Sequence, residues 1–471
     1  MTTLIAGFEA EGFQQRLETY FEKMGKVLGG NGVVNAARRS SFATYAMGLL
    51  GEGDRKSMEP IAARASADPK LIDAQHQRLG HFINDTHWSD EEVRLEAARH
   101  ALQYMTVRNP ISAWILDDTG FLKQGKHSVG VQRQYTGSAG KITNCQVGTS
   151  LCVATATDHL PIDFELYLPK AWMEDKDRRE EAKIPNEMEF KTKPELALQM
   201  IDRALKNQLP KGVVLADEGY GNSKEFRQSL RSRNMDYGVS IASTTAVWLV
   251  DRNGALRSKR KSVKKLALEL GEKGFRRTMW RDGTRGLLHA RFAARRVVVG
   301  TQRGRAPRER EAEWLLMEWR DGESEPAHFH LVTLPANTPR KKLVRIVKER
   351  YRTERAYEDL KGELGLDHFE GRRFAGWHHH VSVALCCYAF VIAEKLRAFF
   401  STTRRQRGTR SLRIPSGETF PGFLHHYSSC DCSPSQHMAP TVPHLPPREF
   451  VSLSRQTPPS PQENGIPLMT Q

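Results

Sequence analysis

The chain of 471 residues carries 71 lysines and arginines against 55 aspartates and glutamates, which gives a formal net charge of +16 at pH 7. Its 39% hydrophobic and 27% charged residues are typical of a globular protein, and its six cysteines, with no Cys-x-x-Cys pair, exclude a disulfide scaffold and a zinc ribbon. No apolar stretch reaches the roughly 20 residues that cross a bilayer and no signal peptide is recognisable, so we expect a cytoplasmic protein without a membrane partner, whose positive charge binds a polyanion such as nucleic acid.

Residues 1–105 are predicted to form a helical domain. Apolar residues recur at three- and four-residue spacing between positions 8 and 24 and again between 93 and 101. Ser89 and Glu92 form a capping-box pattern before the second of these segments. Basic residues lie among the short helices, at Arg38, Arg39, Arg55, Lys56 and Arg64. We predict a DNA-binding domain, and a helical scaffold or dimerisation element is the alternative that the pattern leaves open.

Residues 106–245 are predicted to form the first part of an α/β core. Strand-like segments cover residues 113–121, 128–135, 145–155, 161–168, 212–216 and 237–241, with helical segments at 194–207 and 223–233. The segment 212–216 is short and continuously apolar, which is typical of a buried central strand. A run of strands followed by alternating helices and strands indicates a sheet of mixed direction.

Residues 246–338 are predicted to be a β-rich insertion in that core. Further strand-like segments lie at 287–299, 312–319 and 328–334. The insertion begins with a dense basic stretch, which is either a DNA-facing strip or a solvated face, and which contains Arg257, Lys259, Arg260, Lys261, Lys264 and Lys265.

Residues 339–400 are predicted to complete the core with two helices. Thr338 and Pro339 supply an N-cap followed by a proline at the first helical position, and one long helix is predicted from there to about Lys361. A second, apolar helix follows it. The final segment, residues 401–471, is rich in proline and serine and is predicted to be disordered.

Three carboxylates are candidates for a metal site. Asp117 lies in the first predicted strand, Asp217 follows the apolar central strand, and Glu354 lies on the long helix. Ligand sites in α/β sheets form beyond strand ends, and two divalent cations about 4 Å apart need carboxylates that converge from separate elements. Each acid alone is explained more simply as a turn, cap or surface residue, so the prediction depends on the three together.

The long helix carries a charged stripe. Val347, Arg350, Glu354, Tyr357 and Lys361 recur at spacings of 3, 4, 3 and 4 residues and therefore share one face. Such a face suits a site in which the glutamate binds metal while the arginine and the lysine contact phosphates. A solvated face with i,i+4 ion pairs is the alternative, and the periodicity alone favours it.

Three segments resemble those of DDE-type transposases of bacterial insertion sequences, namely 115–137 (ILDDTGFLKQGKHSVGVQRQYTG), 213–221 (VVLADEGYG) and 350–372 (RYRTERAYEDLKGELGLDHFEGR). The resemblance covers roughly residues 35–400 and is to the branch with a Tyr-x2-Arg-x3-Glu-x6-Lys signature. Val347 occupies the tyrosine position of that signature, which is a departure from it. The 137 residues between Asp217 and Glu354 also fit the family, which carries a β-rich insertion before the glutamate helix.

The resemblance implies a fold and a reaction. The expected fold is α/β, an RNase H-like catalytic core of mixed sheet that a β-rich insertion interrupts, with an N-terminal helical domain. The expected activity is that of a DDE transposase, a metal-dependent DNA endonuclease and strand transferase that cuts at terminal inverted repeats and joins the ends to target DNA. The expected partners are double-stranded DNA, at the transposon ends and at the target, and a second copy of the chain in a homodimeric synaptic complex.

The resemblance also implies site residues. Asp117, Asp217 and Glu354 are the expected catalytic residues and the expected ligands of two Mg²⁺ ions, for which Mn²⁺ can substitute; Asp118 is the rival of Asp117 as the first ligand. The predicted DNA contacts are Arg350 and Lys361 of the signature, Lys123 and Lys126 after the first strand, Arg257 and Lys259 of the basic stretch, and Trp280, which can stack on an unpaired base. Core packing is the alternative role of Trp280.

Two other functions remain open at this level. One is a catalytically silent DNA-binding protein that descends from a transposase, and the other is a host nuclease with an RNase H-like fold. The presence of all three acids argues against the silent protein, whereas the unusual final segment and Val347 leave it open.

Overall fold

We describe the fold on a computed structural model of the chain, for residues 12–30, 32–251, 255–257, 259–283, 286–300 and 312–406, with the backbone alone for residues 400–406. The predicted disordered segment therefore lies almost wholly outside the described residues. Its first residues, 401–406, continue the last helix. Among the described residues, no helix is both long enough and apolar enough to cross a membrane.

Five helices open the described chain. They are α1 (Phe13–Val27), α2 (Gly32–Leu50), α3 (Met58–Ala65), α4 (Ile72–Asn84) and α5 (Asp90–Arg108). The predicted start of α5 is confirmed, because the hydroxyl of Ser89 accepts a hydrogen bond from the backbone N–H of Glu92 at 3.2 Å.

The helices that follow lie among and after the strands. They are α6 (Lys170–Glu174), α7 (Lys176–Glu181), α8 (Lys193–Lys206), α9 (Glu218–Gly221), α10 (Lys224–Ser232), α11 (Val263–Leu270), α12 (Arg340–Lys348), α13 (Tyr351–Leu364) and α14 (Phe374–Gln406). Short 3₁₀ turns occupy Pro69–Leu71 and Glu272–Gly274. The described residues contain a helix at each position where the sequence predicts one, although the bounds differ.

Twelve strands of the described chain join one mixed sheet. They are β1 (Ala113–Leu122), β2 (Gln132–Thr136), β3 (Lys141–Ala154), β4 (His159–Tyr167), β5 (Val213–Ala216), β6 (Tyr237–Ile241), β7 (Ala246–Leu249), β8 (Lys261–Ser262), β9 (Arg276–Gly283), β10 (Gly286–Val299), β11 (Glu313–Trp319) and β12 (His328–Val332). Strand order along the sheet is β2-β3-β1-β5-β6-β12-β11-β10-β7-β8, with β4 paired to β3 and β9 to β10.

The centre of the sheet has the mixed direction that the sequence predicts. Strand β3 is antiparallel to β1 and β4, whereas β1, β5 and β6 run parallel to one another. The strands of the predicted insertion continue this sheet, because β12 pairs antiparallel with β6 and β11 and β10 follow in order. The insertion is therefore bonded to the edge of the core through backbone hydrogen bonds.

The predicted long helix is two helices. Helix α12 buries Leu343, Val344 and Val347 in a hydrophobic cluster with the inserted strands, whereas α13 buries Tyr357 and Leu360 in the main core. Because the two segments pack into different clusters, one straight helix cannot serve both, and the chain breaks between Lys348 and Tyr351. The prediction of a single helix to Lys361 is wrong at this point.

Helix α14 is the element on which the N-terminal helices pack. The hydroxyl of Tyr20 on α1 donates to the carbonyl of Cys386 at 2.9 Å, and the hydroxyl of Tyr45 on α2 contacts Nδ1 of His380 at 2.8 Å. The ring of His379 stacks on Trp88 with centroids 3.8 Å apart. The N-terminal helices and the central sheet therefore share one hydrophobic core.

Candidate active site

Strand register brings two of the predicted acids together. Strands β1 and β5 pair in parallel through Ala113 with Val213 and Ile115 with Leu215. The same register, continued two residues beyond the last pair, sets Asp217 alongside Asp117. Asp117 lies in the middle of β1 and is 8% exposed, whereas Asp217 follows β5 and accepts a hydrogen bond from the N–H of Gly219 at 2.9 Å.

The third acid lies on α13 and is joined to Asp117 through an arginine. One guanidinium nitrogen of Arg350 is 3.0 Å from Oδ2 of Asp117, and the other is 3.3 Å from Oε1 of Glu354. Arg350 is the N-cap residue of α13 and lies in the break after α12. This position sets its side chain between β1 and α13. The Glu354 side chain is 57% exposed and lies at the rim.

Electrostatics identifies this cluster as short of positive charge. The pKa of Asp117 is raised to about 7, mainly by burial; Arg350 opposes the rise, and the nearby carboxylates of Asp217 and Asp118 add to it. Burial also raises the pKa of Asp217, again against the influence of Arg350. The acids in turn raise the pKa of Arg350, with Asp117 contributing most. A cation added among these carboxylates is therefore stabilised.

Asp118 has a different environment from Asp117. Its Oδ1 accepts hydrogen bonds from the hydroxyls of Thr149, at 3.0 Å, and of Tyr220. Its Oδ2 accepts from the ammonium of Lys193 at 2.8 Å. Donors from β3, α9 and α8 thus occupy both oxygens, and the side chain ties these elements together.

The carboxylates are not gathered at metal-ligand distances. Across the part of the chain that the structure describes, no three histidine, cysteine or carboxylate side chains stand close enough to hold a metal ion. The donor set nevertheless fits Mg²⁺, which prefers oxygen ligands and usually binds through a few carboxylates. Arg350 supplies the positive charge between Asp117 and Glu354 in this structure, so it has to leave these oxygens before they can bind a metal.

Two of the lysines predicted to contact DNA, one on α13 and one after β1, are partly tied to the backbone. The ammonium of Lys361 donates to the carbonyl of Gly120 at 2.6 Å and to the hydroxyl of Ser138 at 3.1 Å. The ammonium of Lys123 donates to the carbonyl of Phe369, and burial lowers its pKa. An ammonium has three N–H donors, so each lysine retains capacity for a further acceptor. Lys126 is exposed in the loop after β1.

The other predicted DNA contacts lie on the inserted strands or their connections. Trp280 on β9 is partly buried, with its ring edge-on to Phe292 at 5.7 Å and the ammonium of Lys348 over its face at 4.8 Å. Arg257 is exposed and forms an ion pair with Asp251 at 2.8 Å. Lys259 is exposed as well. Among the residues that the structure describes, no contact joins these positions to Asp117 or Asp217.

Three side chains shape this site through contacts that the sequence did not predict. Lys193 and Tyr220 hold Asp118, and Tyr357 on α13 meets the hydroxyl of Ser150 on β3 at 2.6 Å. Ser150 is the strand partner of Asp117, so this contact fixes α13 against the acid-bearing strand. Tyr220 is close to Asp217 in the sequence, which is a usable signal, whereas no local pattern marks Lys193.

Comparison with known proteins identifies relatives of the chain. A family model described as "DDE superfamily endonuclease" matches residues 24–287, and a model described as "Transposase DDE domain" matches residues 191–390. A "Probable transposase for insertion sequence element IS701" from Microchaete diplosiphon is 30% identical over 213 residues, which is 45% of this chain and 51% of that protein. The alignment thus spans about half the length of this relative.

Proposed function

Because this chain belongs to the DDE superfamily of endonucleases, we propose that it is a transposase that cuts DNA at the terminal inverted repeats of an insertion sequence and joins the ends to target DNA. The proposed fold of the catalytic core is RNase H-like, in which β1, β3 and β4 form the antiparallel part of the sheet and β5 and β6 the parallel part. The name of the insertion-sequence relative supports the same reaction.

One observation carries the proposal. Asp117 on β1 and Asp217 just after the parallel strand β5 lie close enough for Asp217 to raise the pKa of Asp117, and Arg350 joins Glu354 to Asp117. Burying carboxylates together costs free energy, which the raised pKa of Asp117 reflects. A purely structural role would not need this arrangement, whereas phosphoryl transfer needs a cation-binding site next to a negatively charged substrate.

We assign Asp117, Asp217 and Glu354 as the residues that hold two divalent cations, Mg²⁺ or Mn²⁺. When bound, the ions supply a Lewis acid that activates the attacking oxygen and stabilises the leaving oxygen of the phosphodiester. Asp117 is preferred over Asp118 because three side chains, Lys193, Tyr220 and Thr149, hold the oxygens of Asp118. Among the described residues, those of Asp117 face only the backbone N–H of Asp118 and the displaceable Arg350. Asp118 is then a positioning residue.

The protein's own residues supply position and charge. Arg350 leaves the carboxylates when cations bind, and its guanidinium is then free to bind a phosphate of the DNA backbone in two-point contact. Lys361 and Lys123 face the same end of β1 and offer their remaining donors to phosphates. Lys126, Arg257, Lys259 and Trp280 are proposed as contacts with the flanking DNA.

The assembly is also a proposal. Joining two transposon ends to one target requires both ends in one complex, and a homodimer that holds one end in each active site meets this need. Closed two-fold dimers are the commonest form of protein assembly.

The test is a nicking assay on a plasmid that carries the coding sequence with its flanking DNA. The wild-type protein with Mg²⁺ is expected to nick at the boundaries of the element, and Asp217→Asn and Glu354→Gln are each expected to reduce the rate by at least about a hundredfold. The matched control is Glu358→Gln on the exposed side of α13, which is expected to retain activity.

The outcomes separate the alternatives. If wild type binds the element boundaries but never nicks them, the chain is a silent DNA-binding descendant. If it cuts unrelated duplexes as fast as the boundaries, it is a general nuclease. If Asp217→Asn nicks at the wild-type rate, the assignment of the site is wrong.

A further inference from the structure

The segment that follows the first acids has an unusual charge distribution. Residues 119–157 contain no aspartate or glutamate, although the chain as a whole has 55 of them. Four basic residues lie in this segment, namely Lys123, Lys126, Arg133 and Lys141. It forms the end of β1 and the whole β2–β3 hairpin. Since no acidic side chain of the segment offsets these positive charges, its surface is complementary in charge to a polyanion.

The tip of the hairpin exposes two large apolar side chains. Tyr135 and Ile142 are direct cross-strand partners and are 65% and 60% exposed. Partners in an antiparallel pair have neighbouring Cβ atoms on one face of the sheet. Arg133, two residues before Tyr135, lies on that face and is exposed, and Lys141 next to Ile142 is exposed too. The tip is thus an apolar pair with a basic rim.

The hairpin is fixed to the candidate active site. The turn residue Ser138 accepts a hydrogen bond from the ammonium of Lys361 at 3.1 Å and lies 3.4 Å from the N–H of Gly120. Lys361 belongs to the helix of Glu354, and Gly120 follows Asp117 by three residues on β1. The tip therefore has a set position relative to the carboxylates.

Close packing at the base of the tip keeps this position. Thr136 lies so close to Gly120 that a Cβ built on the glycine would be 2.0 Å from the threonine hydroxyl. Thr136 also accepts backbone hydrogen bonds from Ala139 at 3.2 Å and from Gly140 at 3.0 Å, which close the turn. Because this support is rigid, inserting the exposed apolar pair into a partner costs less conformational entropy than inserting a pair on a flexible loop.

We propose that the Tyr135–Ile142 tip is a wedge that enters double-stranded DNA beside the site of cutting, separates one base step and stacks on the exposed base. Architectural DNA-binding proteins insert apolar side chains between base steps in this way, and aromatic rings stack on unpaired bases. The inference rests on the proposed function, since the DNA end next to the carboxylates is the substrate that the tip would open.

Charge favours DNA over a protein as the occupant. A protein-binding apolar patch needs no excess of like charge around it, whereas each basic residue next to the tip can pair with a phosphate of the strand that it opens. The tip also lies on the same end of β1 as Lys361, which the proposed function assigns to phosphate binding.

The test is a binding experiment with the full chain in EDTA, where no cutting occurs. The probes are a short duplex of arbitrary sequence, fully paired, and the same duplex with a mismatched step that carries a fluorescent adenine analogue. A wedge binds the mismatched duplex more tightly because the step is already unstacked, and we expect about a tenfold preference in wild type. The analogue should brighten or shift when the step opens around the tip.

The double variant Tyr135→Ala/Ile142→Ala is expected to lose the preference and the fluorescence change, and to bind the paired duplex within about threefold of wild type. Both side chains are exposed, so the melting temperature should not change. The matched control is Val107→Ala on α5, an exposed apolar residue just before the opposite end of β1, which should behave as wild type.

Three results overturn the inference: no preference in wild type, a preference retained in the double variant, or a change of oligomeric mass in the double variant with DNA binding unaltered. The last result would make the tip an interface between copies of the chain. Since this binding assay needs no cleavage, it tests the wedge proposal separately from the nicking assay, which tests the proposed cutting reaction.

Discussion

Asp117 and Asp118 are neighbours in the sequence with opposite environments. Alternation along β1 turns one side chain towards Arg350 and Asp217 and the other towards Lys193, Tyr220 and Thr149. The sequence could propose both as ligands, but it could not choose between them, because the donors around Asp118 come from distant parts of the chain. The raised pKa of Asp117 and the hydrogen bonds of Asp118 supply the distinction.

Asp117→Asn is expected to stabilise the metal-free protein at pH 8. The carboxyl ionises near pH 4 in the unfolded chain and near pH 7 in the folded one, so folding opposes its ionisation and stability falls as the pH rises between these values. Asparagine removes a cost of about 4 kcal/mol, since this difference of about 3 in pKa corresponds to about that free energy. The cost is complete above about pH 8 and absent below about pH 4. Thermal melting of both proteins at about pH 4 and about pH 8 measures it.

The matched control is Asp118→Asn, which should lower the stability of the metal-free protein at pH 8. This change weakens a charge-assisted hydrogen bond from Lys193 and two hydroxyl contacts, for an expected loss of about 1–3 kcal/mol. If both variants lower the melting temperature at pH 8, the cluster around Asp117 is not short of positive charge, and the electrostatic argument for a cation site fails.

Arg350→Gln tests whether the arginine stands in for a cation. Without Mg²⁺ the variant should lose about 1–2 kcal/mol, because Asp117 and Glu354 lose the guanidinium between them. Added Mg²⁺ should raise its melting temperature more than that of wild type, since no side chain has to be displaced. The control Arg355→Gln, which removes an exposed ion pair with Glu358, should respond to Mg²⁺ as wild type does.

Elements with strong local patterns could be predicted from the sequence. The strand β6 has the predicted bounds, and the N-cap hydrogen bond of Ser89 at the start of α5 is formed as expected. The break between α12 and α13 could not be predicted, because the charged stripe and the apolar spacing both continue through it. What breaks the helix is tertiary: Val347 and Tyr357 belong to two different hydrophobic clusters.

Three consecutive histidines, residues 378–380, lie near the start of α14, and the contacts of His379 and His380 give these two packing roles. Nδ1 of His379 contacts the carbonyl of Ile83 at 2.7 Å and its ring stacks on Trp88, whereas His380 meets Tyr45 and the carbonyl of Leu366. Burial lowers the pKa of both imidazoles. Both act as buried connectors between α14 and the segments around it.

Lys361→Met is expected to loosen the β2–β3 hairpin. The ammonium joins three elements, since it lies on α13 and donates to Gly120 on β1 and to Ser138 in the turn. Without these bonds the amides of Ala139 and Gly140 should exchange about tenfold faster, while the amides of α5 stay unchanged. Hydrogen exchange measures this; Lys126→Met, at an exposed lysine, is the control. Equal exchange in the wild type and Lys361→Met would show that the lysine does not brace the hairpin.

At the scale of the whole molecule, the sequence indicated the helices and strands of each region, but not that the regions share one sheet and one hydrophobic core. The pattern between residues 246 and 338 predicts an insertion, and the pairing of β12 with β6 makes its strands an extension of the same sheet. Contacts with α14 likewise join the N-terminal helices to the core. Both results depend on long-range pairing, which period and propensity do not encode.

The net charge of +16 makes a last prediction about the whole molecule. Binding of a duplex should weaken steeply with salt, because each neutralised phosphate releases condensed counterions. Replacing one lysine that contacts a phosphate should therefore lower the slope of log affinity against log salt by about one. Lys126→Gln, within the segment 119–157 that has no acidic residue, is expected to do so. Lys170→Gln, which removes an exposed partner of Glu174, has the same formal charge change and should leave the slope unaltered. If the two variants change the slope equally, DNA affinity depends on the total charge alone. The proposal that phosphate contacts are concentrated at the end of β1 is then wrong.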